Sequence, residues 1–167
     1  MTSQQRLIGR YIKDLGQGRL SWIGLRTERK GHIDVVNTTM AVEGLGLEGD
    51  HRMLKTPGSA RQVSIISAEF ITQIEHYSGH PSIDPGALRR NLVLEGINLN
   101  AMRYQRFQIG DAVFEATALC HPCTRMDQAV GKGTVAAMLG HGGLCARVLK
   151  SGRVTVGDAV KVLQEKS

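Results

Sequence analysis

The sequence predicts a mainly β domain, a barrel of short strands with a few short helices at its periphery. Two features of the pattern carry this reading. Apolar and β-branched residues fall in many short runs closed by Gly-Asp or Gly-Arg turns. Twenty glycines against four prolines punctuate the 167 residues, and few stretches keep a helical period. An internal echo adds a third: Phe107-Gln108-Ile109-Gly110-Asp111-Ala112-Val113 resembles Val154-Thr155-Val156-Gly157-Asp158-Ala159-Val160. In both, an apolar run meets Gly-Asp and resumes as a strand, the pattern of a tight turn feeding a barrel.

In chain order, the predicted strands are residues 20–25, 33–42, 62–66, 92–94, 107–109, 112–118, 145–149 and 159–163. Ser67 reads as the cap of a helix, with Glu69 in its first turn and Phe70, Ile71 and Ile74 on one face. Short helices are expected over 86–90 and 134–139. No Pro- or Ser-rich linker divides the chain. The reading is one domain over residues 20–164, with residues 1–19 an extension packed on it.

Composition narrows the function classes. Apolar residues make up 41% and charged residues 22%, a globular balance rather than a disordered one. No apolar run approaches the roughly 18 residues that span a bilayer, and the N-terminus leads into no secretory signal. Three cysteines do not make a disulfide framework, so a cytoplasmic protein with no membrane partner is expected. The net charge of +6 favours an anionic partner. Nucleic acid is disfavoured, because seven aromatics offer little for bases to stack on and the basic residues form no long run. A small anionic ligand competes well.

The chemistry converges on cysteine. Cys123 lies just after the run 112–119, and a soft thiolate at a strand end near cations can be a nucleophile, a redox centre or a metal ligand. Cys120-His121-Pro122-Cys123 has thiol-disulfide spacing but lacks the βαβ context of such motifs. Structural zinc would need further ligands, for which His121, His141 and Cys145 are available. Gly44 to Arg52 lacks the glycine spacing of a dinucleotide loop; it reads as a tight loop gathering Asp50, His51 and Arg52. Arg89-Arg90-Asn91 can fork onto phosphate or carboxylate oxygens. For it, as for Arg26 to Gly31, a solvated charged turn is the default.

Three stretches together resemble the MOSC domain, the module named for the C-terminal part of molybdenum cofactor sulfurases. They are Gly46 to Arg52; Arg89-Arg90-Asn91-Leu92-Val93 with Gly96-Ile97 and Phe107 to Gly110; and Cys123 followed by Ala146 to Leu149 and Val156-Gly157-Asp158. The resemblance implies a β-barrel and a molybdenum cofactor (molybdopterin), held through its phosphate and pterin with a cysteine near or on the metal. Cys123 matches that cysteine. Arg89 and Asn91 match an Arg-x-Asn cofactor contact. Arg26 and Thr27 fall at a Lys-Ser pair, and Ser67 at a serine near the cofactor. His51 and Arg52 stand where short members often read Arg-His, an inversion that leaves open which of these two expected cofactor contacts meets the phosphate. Similar stand-alone proteins reduce N-hydroxylated compounds. The chain lacks a pyridoxal-phosphate domain and any fused iron-sulfur or flavin module, so a small-molecule substrate and a separate electron-donor protein, a reductase or iron-sulfur protein, are expected. The alternative is a non-catalytic carrier of sulfur, as a persulfide on Cys123, or of the cofactor.

Overall fold

The structure is a computed structural model that describes residues 1–164. Seven strands close into a barrel: β1 (Gln17–Arg26), β5 (Val63–Ser67), β6 (Leu92–Glu95), β7 (Arg106–Ile109), β8 (Ala112–Leu119), β9 (Leu144–Lys150) and β11 (Ala159–Leu163). The sheet runs β11-β7-β8-β9-β5-β6-β1, and β1 pairs back onto β11 through Gln17–Arg19. Closure removes the free edges that an open sheet of this length would expose. β2 (Ile33–Val36) pairs with the far half of β1, and β3 (Thr38–Val42), β4 (Gly46–Leu47) and β10 (Gly152–Thr155) form a small second sheet.

Alternation along the strands fills the barrel. Leu20, Ile23, Ile65, Leu92, Leu94, Phe107 and Phe114 are fully buried in one cluster. Phe107 and Phe114 face each other across β7 and β8 and stack with centroids 5.4 Å apart. The single parallel pair, β5 with β6, is joined by α2 (Ala68–Ser78). Ile71 and Ile74 of α2 pack on Ile66 and Val93, together with Met138 of α4 (Thr134–Met138). Both faces of β5 are therefore covered, which is why it reads as a continuous apolar run.

Several sequence expectations change. The predicted strand 33–42 is two strands, β2 and β3, that part at Asn37 and belong to different sheets. The echoed motifs do different work. Gly110-Asp111 makes a two-residue hairpin between β7 and β8, with Gly110 at φ 55°. Gly157-Asp158 instead carries the chain from the small sheet into the barrel. The expected helix over 86–90 is the 3-10 turn Pro85–Leu88. Helix α1 (Ser3–Tyr11), unforeseen, opens with a Thr2/Gln5 capping box and buries no residue. A fourth short helix, α3 (Arg125–Ala129), follows β8. No helix among the described residues is long and apolar enough to cross a membrane.

Candidate functional site: a cationic pocket beside the Cys123 segment

Four chain segments meet at one end of the barrel. β1 ends in Arg26, and the following turn supplies Arg29 and Lys30. The 3-10 turn His51–Leu54 supplies His51 and Arg52, with Lys55 next. Arg89 caps the turn Pro85–Leu88, and Arg125 starts α3. Together they enclose a pocket of about 320 Å³, lined by seven Arg or Lys side chains and His51 and by no acidic residue. A third of the chain's 21 basic residues thus face one small cavity, which focuses positive potential on a small anion.

The one carboxylate beneath this pocket is already engaged. Asp50 is 3% exposed and receives the Arg26 backbone N–H at 2.9 Å, Arg26 Nε at 3.1 Å and Arg52 N–H at 2.9 Å. Burial by itself would raise its pKa; the Arg26 charge and the hydrogen bonds from Arg26 and Arg52 outweigh it and hold the carboxyl below its usual range. Gly49, at φ 88°, turns the chain so that Asp50 comes back under Arg26. His51 Nδ1 lies 3.2 Å from the Arg26 carbonyl; a carbonyl only accepts, so that nitrogen carries a proton.

Asn91, fully buried, ties these segments together. Its Nδ2 donates to the Gly24 carbonyl at 2.9 Å and to Asp50 Oδ2 at 2.8 Å. Its Oδ1 accepts from Arg26 Nη2 at 2.9 Å and from Ser64 N–H at 3.1 Å. Arg89 has a left-handed backbone at φ 55°, rare for a side chain of its size, and donates from Nη1 to the Gly31 carbonyl at 2.8 Å. Partial burial, then the neighbouring charges of Arg26 and Arg125, lower its pKa. Crowded guanidinium groups of this kind are relieved by an anion between them.

The three cysteines are free. Cys123 is exposed, on the segment joining β8 to α3. It precedes the pocket-lining Arg125 by two residues, so their Cα atoms are at most about 7 Å apart. Cys120, half-buried, continues the β8–β9 pairing through its N–H to the Gly143 carbonyl, beside Cys145 on β9. Among the described residues no three His, Cys, Asp or Glu side chains converge as a metal-binding group, so the zinc reading finds no site there.

The family model of the MOSC domain matches residues 50–161, a span that holds most of the pocket and all three cysteines. The chain belongs to the MOSC domain family. That family is linked to molybdenum cofactor binding. Among solved structures, this MOSC protein is similar to YuaD from Bacillus subtilis, at TM-score 0.70 and 18% identity over 90% of this chain and 98% of that one. It is also similar to YiiM from Escherichia coli (TM-score 0.65, 18% identity, 89% of this chain and 71% of that one). YiiM from Geobacillus stearothermophilus matches at TM-score 0.69 and 16% identity over 88% of this chain and 75% of that one. These likenesses show the shared fold. No curated protein matches by sequence.

Of the residues named from the sequence, the MOSC pocket gathers Arg26, His51, Arg52 and Arg89 on its wall. His51 and Arg52 both line it, whichever order they take. Asn91 lies behind the wall, all its polar capacity engaged within the protein. Thr27 is exposed and absent from the lining; its hydroxyl reaches only the His32 carbonyl, at 3.5 Å. Ser67 is buried at the far end of β5 as the cap of α2, accepting the Phe70 N–H at 3.1 Å. Ser64, three residues earlier and about 10 Å back along the strand, is the serine against Asn91. The charged-turn default also fails for Arg90, which is 5% exposed. Arg29, Lys30, Lys55 and Arg125 were not singled out as pocket residues, because their spacing alone does not separate them from solvated charge.

Proposed function

We propose that this MOSC protein holds molybdenum cofactor in the cationic pocket and reduces N-hydroxylated small molecules, with electrons from a separate donor protein. The observation that carries the reading is the cluster of seven Arg and Lys side chains around a cavity whose rim adjoins the Cys123 segment. The donor set fits the group. Guanidinium forks match phosphate oxygens, and no free carboxylate opposes an anion there. Arg89, Arg52 and Lys55 would take the phosphate, while Arg26 stays fixed by Asp50 and Asn91. The exposed Cys123 thiol is a soft ligand suited to the metal.

When bound, the cofactor supplies a centre able to pass two electrons. Two electrons and two protons convert N–OH to N–H and water, and a separate reductase or iron-sulfur protein would deliver the electrons. The test is turnover of an aromatic hydroxylamine or amidoxime with a reduced viologen dye as donor. Wild-type protein from a cofactor-producing host should turn over and Cys123→Ala should not; a variant as active as wild type refutes the role of the thiol.

One observation favours the carrier reading as a second. The Cys123 thiol is exposed, as a group that meets another protein must be. In that reading Cys123 would carry a persulfide. Intact mass separates the two: one extra sulfur on Cys123 in protein without molybdenum supports the carrier.

A further inference from the structure

Arg90 and two of the three cysteines have no part in the pocket, yet they lie together. β8 and β9 are antiparallel, with Ala118 opposite Cys145 and Leu119 opposite Leu144. The pairing continues one step, as Cys120 N–H donates to the Gly143 carbonyl at 2.8 Å. Alternation therefore puts Cys120 and Cys145 on the same face as diagonal neighbours. The two thiols are near enough to shift one another's pKa. The residue opposite Cys120 is Gly143, preceded by Gly142, where an added Cβ would collide with the Cys120 carbonyl, so neither position places a side chain against Cys120.

Arg90 completes the group. It is 5% exposed, donating from Nε to the Gly142 carbonyl at 2.9 Å and from Nη1 to Leu88 at 2.9 Å. Its Nη2 is buried with no partner, an orphaned cationic donor beside the Cys120 backbone contact. An unpaired buried donor of this kind is costly unless an anion answers it. The thiols respond in opposite senses. The adjacent Cys145 thiol lowers the Cys120 pKa to about 6, outweighing burial, with Arg90 adding to the effect. The Cys145 pKa is raised by the Cys120 side chain beside it and by burial, so it stays a thiol. A thiolate beside a protonated thiol is the arrangement of an attacking and a resolving cysteine.

We propose that Cys120 and Cys145 form a second thiol site, distinct from Cys123, that consumes hydrogen peroxide and closes as a reversible disulfide. The Cys120 thiolate attacks one peroxide oxygen and the O–O bond breaks. Sulfur becomes sulfenic acid, and the departing hydroxide takes a proton to give water. Cys145 then attacks that sulfur; the S–S bond forms, the S–O bond breaks, and hydroxide leaves with the Cys145 proton as a second water. One peroxide oxidises two thiols by two electrons in total. A small thiol of the glutathione class reverses the step by exchange. Bridging diagonal residues also requires their Cα atoms to come within about 7 Å. Oxidation would thus draw Cys120, the first residue of the Cys123 segment, toward β9.

The experiment is peptide mapping of the wild-type chain after brief hydrogen peroxide treatment and alkylation of the remaining thiols. The proposal expects loss of two hydrogens, a Cys120–Cys145 crosslinked peptide, and Cys123 still open to alkylation. Cys123→Ser should keep the crosslink, and Cys145→Ser should leave a sulfenic acid on Cys120 that dimedone traps. A Cys120–Cys123 crosslink overturns it. So does oxygen uptake on Cys123 while Cys120 and Cys145 both remain alkylatable. The wild-type map decides even where a core variant does not fold, and it does not depend on a cofactor occupying the pocket.

Discussion

Asn91 donates to Asp50 across 2.8 Å, and both side chains are buried beneath the cationic wall that Arg26 completes. Through this contact the start of β6, the turn after β4 and the end of β1 hold one geometry. Asn91 acts as a positioning residue, because it has no donor or acceptor left for a ligand. Replacing it with Ala would leave the Ser64 N–H and the Gly24 carbonyl without their Asn91 side-chain partners and take one hydrogen bond from Asp50. A loss of about 3 kcal/mol is expected from groups buried without partners. Urea unfolding of Asn91→Ala measures it; a change within experimental error would show that the hub is not structural.

Asp50→Asn should weaken the fold as well, since it removes the negative charge of a buried ion pair and leaves Arg26 uncompensated. Breaking such a pair costs about 3 kcal/mol. The sign of the pH dependence follows from the carboxyl's lowered pKa. Its contribution is fully present above the ordinary value of 3.8 and disappears as pH falls through the lower folded value. The gap in unfolding midpoint between wild type and Asp50→Asn should therefore close in acid. A gap that instead widened there would reverse the assignment.

The two serines of β5 should separate cleanly. Ser67→Ala removes a helix cap and should cost about 1 kcal/mol with anion binding unchanged. Ser64→Ala removes only a hydroxyl near Asn91, at 3.3 Å, and should leave α2 unaffected. Calorimetric binding of pyrophosphate to each variant checks this. Loss of binding in Ser67→Ala would restore Ser67 to the site.

Arg89 should matter for anions out of proportion to its effect on folding. Its Nη1 holds Gly31, and the rest of its guanidinium faces the pocket. Arg89→Ala should weaken pyrophosphate binding about tenfold, the worth of one charge-assisted hydrogen bond. An equal loss in Lys132→Ala, which does not line the pocket, would mean that binding follows net charge alone.

Much of this was legible in the chain. The barrel strands showed themselves because each short apolar run ends in a turn signal, and Ser67, Glu69, Ile71 and Ile74 marked α2 through cap and period. The split of 33–42 was not legible, because a change of sheet at Asn37 leaves the apolar pattern unbroken. β4 and β10 are too short to carry a period. Four of the motif positions, Arg26, His51, Arg52 and Arg89, line one pocket. Whether a polar residue stands on the wall or behind it depends on which way its strand faces at that register, so the sequence did not show that Asn91 and Ser67 stand off the pocket wall. The pairing of Cys120 with Cys145 rests on β8–β9 register, which a Cys-x-x-Cys spacing conceals.

The central claim is that the pocket and Cys123 together hold molybdenum cofactor. Its most direct test is the molybdenum and pterin content of protein purified from a cofactor-producing host, wild type beside Cys123→Ala and Arg89→Ala. Near-stoichiometric molybdenum and pterin in wild type are predicted, with metal lost in Cys123→Ala and both lowered in Arg89→Ala. Wild-type protein carrying neither would contradict the account.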